Sequence, residues 1–85
     1  MKPFKILIIE DDPICARIIR HILENINKSI KLIQSTNAYE ALKILENETP
    51  DLILTDWDMP KMSGIEFCKK IHANQNFADI PVIMC

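Results

Sequence analysis

Short unbroken apolar runs alternate along this chain with segments whose apolar residues recur at helical spacing. That alternation restricts the fold more than any other feature. Ile6-Leu7-Ile8-Ile9 is apolar at every position, the pattern of a strand buried on both faces of a parallel sheet. Leu52-Ile53-Leu54 repeats it, and Thr55-Asp56 ends that strand. Ile30 to Ile33 reads as a second strand, with Lys31 and Gln34 suggesting a less buried edge position. Ile80-Pro81-Val82-Ile83-Met84-Cys85 reads as a fourth, with Pro near its start, where it is tolerated.

The intervening segments carry helix signals. Asp12-Pro13 opens the first helix, since Asp caps and Pro suits the first turn. Ile14, Ile18, Ile22 and Ile26, with Cys15, Ile19 and Leu23 beside them, form one apolar stripe. Asn37-Ala38-Tyr39-Glu40 resembles a capping box, with Ala38, Ala41, Leu42 and Leu45 expected inward. Thr49-Pro50 breaks that helix. Asp58-Met59-Pro60 cannot continue as ladder or helix, because Pro lacks a donor and restricts the residue before it. Ser63-Gly64-Ile65-Glu66 opens a third helix, with Ile65, Cys68 and Ile71 expected inward. The order βαβαβαβ implies right-handed crossovers and an α/β, doubly wound parallel sheet with helices on both faces.

Composition narrows the function. Eighty-five residues make one small domain, which buries only roughly 60% of its unfolded surface. An apolar share of 48% at a net charge of −2 is too high for disorder. No run approaches the ~18 apolar residues of a membrane span, and Met1 to Lys5 lacks the pattern of a secretory signal. The expected location is cytoplasmic. There is no basic stripe for nucleic acid. A single Gly rules out a glycine-rich phosphate loop, so side chains or a metal must handle any phosphate. Cys15, Cys68 and Cys85 make no C-x-x-C pair and no zinc pattern with His21 or His72, so they are expected to be buried thiols. The sequence stops at Cys85 inside an apolar strand, where a terminal carboxylate is costly to desolvate. Residues 1–85 are therefore expected to be one domain whose C-terminal part is missing.

Glu10, Asp11 and Asp12 follow the first strand, and Asp56 and Asp58 follow the third. Ligands of open parallel sheets sit at the carboxyl ends of strands, where strand order reverses. If the sheet runs 2-1-3-4, that point lies between strands 1 and 3, and Glu10, Asp11 and Asp56 are then expected to converge there. Clustered carboxylates repel one another, and a hard divalent cation with oxygen ligands removes the cost. Such a site suits phosphoryl transfer, with a carboxylate as the attacking group. Each residue also has a plainer role: Asp12 as helix cap, Asp58 as turn residue with a free backbone carbonyl, Glu10 and Asp11 as solvated turn charges. Trp57, beside Asp56, is the only Trp and a built-in reporter. Lys69-Lys70 reads as a solvated helix end.

Lys5-Ile6-Leu7-Ile8-Ile9-Glu10-Asp11-Asp12-Pro13, then Asp56-Trp57-Asp58-Met59-Pro60 with Met62-Ser63-Gly64, then Ile80-Pro81-Val82-Ile83-Met84 stand in this order. They resemble the first strand and acidic loop, the D-x-x-M-P-x-x-x-G phosphoacceptor loop and the fourth strand of bacterial-type response-regulator receiver domains. The resemblance implies a flavodoxin-like fold and a Mg²⁺-dependent (or Mn²⁺-dependent) signalling switch, not an enzyme beyond slow self-phosphorylation from small donors and slow self-dephosphorylation. It implies Asp56 as phosphoacceptor, Asp11 as direct metal ligand and Glu10 as second acid acting through water. Asp58 would lend its backbone carbonyl to the metal. Asp12, Pro60 and Gly64 would shape the loops. The donor would be a histidine kinase or histidine phosphotransfer protein.

Family members also carry a Ser or Thr just after the fourth strand, then a fifth strand followed by a Lys, and two further helices. The sequence ends before these. The fourth strand is then an apolar edge, and a homodimer or swapped assembly through it is expected. Two rivals use the same acids. Asp56-Trp57-Asp58 resembles the D-x-D of haloacid-dehalogenase-type phosphatases, and Glu10 with that pair resembles a topoisomerase-primase metal site. A third reading is a receiver-like interaction module without phosphorylation.

Overall fold

The computed structural model describes residues 3–57, 59 and 61–85. Asp58 and Pro60, assigned above to the metal and the loop, lie outside the described residues, as do Met1 and Lys2. Seven elements follow in order: β1 (Phe4–Ile9), α1 (Pro13–Ile26), β2 (Ile30–Ser35), α2 (Ala38–Leu45), β3 (Leu52–Thr55), α3 (Gly64–His72) and β4 (Val82–Met84). All three strand pairs are parallel, in the order β2-β1-β3-β4. β1 therefore has a neighbour on each side, and Ile6, Leu7, Ile8 and Ile9 are all buried. β2 is an edge strand, and its Lys31 and Gln34 are exposed.

The helix caps form where the sequence places them. Asp12 accepts from the Ile14 amide at 2.9 Å with Pro13 behind it. Asn37 accepts from the Glu40 amide at 2.8 Å. The Glu40 carboxylate is held by the Thr36 hydroxyl at 3.3 Å. Ser63 and Glu66 close a reciprocal capping box.

One sheet face carries Leu7, Ile9 and Ile53, and α2 and α3 close over it with Ala38, Ala41, Leu45, Phe67 and Ile71. Met59, Met62 and Ile80 complete that core. α3 corrects the expected inward set. Ile65 is exposed and Cys68 half-buried, whereas Gly64, Phe67 and Ile71 form the buried line. Ile65 lies about 100° round the helix from Gly64, off the contacting face.

The other sheet face is the α1 side, and here the difference from expectation is larger. The stripe Ile14, Ile18, Ile22, Ile26 does not face the core: each of the four is more than half exposed. Ala16 is the one buried residue of α1, with Ile19 and Leu23 half-buried. An i, i+4 row marks the apolar side of a helix but not which part of that side meets a neighbour. The cysteines also differ. Cys15 and Cys85 are exposed and Cys68 is half-buried, because Cys15 sits in the first turn of α1 beyond the sheet and Cys85 just past the last rung of β4.

Candidate functional site

The sheet ladder continues one residue past its strands and fixes the site. The Glu10 amide donates to the Ser35 carbonyl at 3.1 Å, the Asp56 amide to Ile9 at 3.1 Å, and the Cys85 amide to Thr55 at 3.0 Å. Ile9 pairs with Thr55 and Thr55 with Met84. The next rung therefore sets Glu10, Asp56 and Cys85 side by side, on strands about 4.8 Å apart. Carboxylate oxygens of Glu10, Asp11 and Asp56 lie within 4.8 Å of one another.

The loop after Asp56 is held from behind. Thr55, a buried hydroxyl, donates to the Asp56 carbonyl at 3.2 Å. The Gly64 amide donates to the Trp57 carbonyl at 3.0 Å. Gly64 is needed for closeness rather than for a left-handed backbone. A Cβ there would overlap the Asp56 carbonyl oxygen and press on Met84 Sδ at 3.3 Å. The turn that does use a left-handed residue is at Lys61, with φ 73°, which costs a non-Gly residue roughly 1–2 kcal/mol.

The electrostatics follow from this packing. Partial burial raises the Glu10 carboxyl above its usual 4.5, the Asp12 amide hydrogen bond opposes the rise, and the charges of Asp56 and Asp11 add to it. Asp12 moves the other way, because its carboxylate accepts from the Ile14 amide and the Cys15 thiol. Asp12 thus caps α1, at the rim of the cluster. A cleft of about 560 Å³ opens over the site and is lined by Glu10, Asp11, Asp12, Asp56, Cys15, Ile18, Ile19 and Cys85. Trp57, next in sequence to Asp56, is exposed. A second cleft of about 530 Å³ lies beyond Asp11, between Thr36, Asn37, Tyr39 and Lys61.

Of the residues singled out from sequence, Glu10, Asp11 and Asp56 come together, with Asp12 adjacent and Gly64 packed behind Asp56. Sequence reading missed Thr55, Cys15 and Cys85 as neighbours of the site. The strand register of Asp56 with Cys85 was the signal for one of them. His21 is not drawn to the site: it lies on an exposed face of α1 beside Asn25. His72 ends α3 and meets the Ile80 carbonyl at 3.1 Å. Three hard oxygen donors around one point fit a divalent cation that favours carboxylates.

Comparison with known proteins agrees with this architecture. The family model "Response regulator receiver domain" matches residues 6–85. A chemotaxis protein CheY homolog of Campylobacter jejuni is 33% identical over 81 residues, 94% of this chain and 62% of that protein. The chain thus spans about 62% of the length of this curated relative. The receiver domain of a signal transduction histidine kinase from Syntrophus aciditrophicus superposes with a TM-score of 0.89 at 36% identity, covering 94% of this chain and 59% of that one. The phosphorylated cyanobacterial phytochrome response regulator RcpA (TM-score 0.89) and the Mn²⁺-bound form of response regulator Rcp1 (TM-score 0.86) are each 28% identical, over 96% of this chain and 64% of theirs. The chain belongs to the response-regulator receiver domain family. Receiver domains of this CheY-like kind are signalling switches rather than enzymes in the ordinary sense.

Proposed function

We propose that the chain is a phosphorylation switch in which Asp56 accepts a phosphoryl group from a phosphohistidine. The observation that carries this is the convergence of Glu10, Asp11 and Asp56 at the carboxyl end of the sheet. The phosphorylated state of RcpA and the Mn²⁺ held by Rcp1, both receiver relatives, support it. The donor is a histidine kinase or a histidine phosphotransfer protein.

In the reaction one Asp56 carboxylate oxygen attacks phosphorus in line. A P–O bond forms, the P–N bond to the donor imidazole breaks, and the imidazole nitrogen takes up a proton. The product is an acyl phosphate. A bound Mg²⁺ or Mn²⁺ supplies neutralisation of the phosphoryl oxygens. Asp11 and Asp56 would hold it directly, Glu10 through water, and the Asp58 carbonyl would add a ligand. The chain's own residues prepare the attack: the ladder bond from the Asp56 amide to Ile9 and the Thr55 hydroxyl on the Asp56 carbonyl fix the nucleophile's backbone. The cleft beside Cys15 and Ile18 leaves the attacking side open.

The test is intact-mass analysis after incubation with Mg²⁺ and a small phosphodonor such as phosphoramidate. The expected result is one added phosphoryl group, lost slowly, absent without Mg²⁺ and absent in Asp56→Asn. Equal labelling of Asp56→Asn would overturn the assignment. Repeated turnover of a phosphate ester would favour a phosphatase instead.

A further inference from the structure

On the β2 side of the acid cluster, at the opposite edge of the sheet from β4, lies a cleft that the phosphoryl chemistry does not use. Among the described residues it is lined by Asp11, Thr36, Asn37, Tyr39 and Lys61, and its volume is about 530 Å³, within the range of small-molecule sites. Three connections build it. Asp11 follows β1, Thr36 and Asn37 join β2 to α2, in whose first turn Tyr39 stands, and Lys61 stands between β3 and α3.

Lys61 is the residue that packing alone does not explain. Its φ of 73° puts a lysine in the left-handed region, a strained backbone for any residue with a Cβ and one that glycine adopts freely. The turn has little room to relax, because Met59 before it and Met62 after it are both buried in the core. Strain that packing fixes in this way collects at ligand clamps. The lysine is exposed, and its ammonium makes no ion pair among the described residues.

The rest of the lining supplies a ring and spare donors. Tyr39 is 50% exposed and offers an apolar face with a hydroxyl at its tip. Asn37 spends its side-chain oxygen on the Glu40 amide at 2.8 Å and one amide hydrogen on Thr36 at 3.5 Å, which leaves it a second amide hydrogen. The acids nearby are engaged elsewhere. Glu40 accepts from the Thr36 hydroxyl at 3.3 Å, and an Asp11 carboxylate oxygen lies within 4.8 Å of those of Glu10 and Asp56.

We infer that this cleft binds a small organic anion, with Lys61 pairing its acidic group and the Tyr39 ring carrying a planar apolar body. An unpaired cation beside an exposed ring selects that chemistry: the ammonium supplies a charge-assisted hydrogen bond and the ring supplies contact area. A bare inorganic anion would leave the ring unused, and an uncharged ring compound would leave Lys61 unused. The cleft meets the acid cluster only at Asp11. An occupant therefore sits beside the reacting group without replacing it.

The experiment is an amide-resolved NMR titration of the full chain with naphthoate, beside its uncharged analogue naphthylmethanol. Saturable shifts are expected at Thr36, Asn37, Tyr39 and Lys61, with naphthylmethanol binding at least about fivefold more weakly. Lys61→Gly should weaken naphthoate binding by about fivefold or more while melting no lower than the native chain, since glycine removes the strain. Tyr39→Ala should weaken both compounds. Lys69→Ala, an exposed cation on α3, should change neither. The proposal is overturned by the absence of a saturable shift, by shifts centred on Glu10, Asp56 and Cys85, or by naphthoate binding that survives Lys61→Gly. Equal affinity for naphthylmethanol also overturns it, because the ring alone would then account for the contact.

Discussion

Glu10 is the residue at which the site is under most tension. It is partly withdrawn from water and faces Asp56 and Asp11, so its carboxyl stays protonated to higher pH than the usual 4.5. A carboxyl whose pKa is raised on folding contributes stability that is fully present below the unfolded value and is lost as pH rises through the folded value. Asp12 and Glu48 have lowered values and act with the opposite sign, so the net curve of the native chain mixes them. The difference between the native chain and Glu10→Gln isolates Glu10. Without metal, thermal unfolding is expected to show Glu10→Gln gaining on the native chain as pH rises from below 4.5 toward neutrality, and saturating Mg²⁺ should reverse that order. A constant difference across the range would mean that Glu10 feels neither burial nor its neighbours. The acidic residues that converge were legible in the sequence because strand ends and strand order are enough to bring them together. Thr55 and Cys85 were not, because their place depends on strand register to within one residue, and Cys15 was not, because its place depends on how the first turn of α1 meets the strand ends.

At the scale of elements, caps and core faces carry unequal shares of stability. The Ser63 hydroxyl accepts the hydrogen bond from the Glu66 amide that caps α3, a cap whose loss costs about 1 kcal/mol. Phe67, three residues into the helix, has no measurable exposure and sits in the core with Leu7 and Ile9. Removing such a ring costs about 3–5 kcal/mol, a large part of what a small domain has. Urea denaturation is expected to find Ser63→Ala modestly shifted and Phe67→Ala largely unfolded. Comparable losses would mean that α3 is held by its cap rather than its packing. The cap was readable from Ser63-Gly64-Ile65-Glu66, while the buried line of α3 was not. Apolar residues at 64–71 fit two overlapping faces, and only contact with α2 and the sheet selects Phe67 over Ile65. The same ambiguity explains α1, whose long arc offered two faces of which the sheet uses one.

For the whole molecule, the parallel order β2-β1-β3-β4 is the feature from which the rest follows. It buries β1 on both sides, leaves β2 and β4 as edges and opens the switch point between β1 and β3. The apolar runs of β1 and β3 foretold parallel pairing, because strands buried on both faces need unbroken apolar sequence, while the order itself was what the resemblance to receiver domains implied. Which face of α1 meets the sheet was not legible, because Ala16 rather than the row Ile14, Ile18, Ile22 is the buried residue of that helix. The site draws its residues from the ends of β1 and β3, so its assembly is a property of the fold as a whole. Titrating Mg²⁺ while following Trp57 fluorescence, with Asp56→Asn beside it, tests that assembly most directly, since Trp57 is the only Trp and adjoins Asp56. A saturable change in the native chain that is weakened in Asp56→Asn is the expected result. No change, or an equal change in both, would contradict a cation site built by Glu10, Asp11 and Asp56.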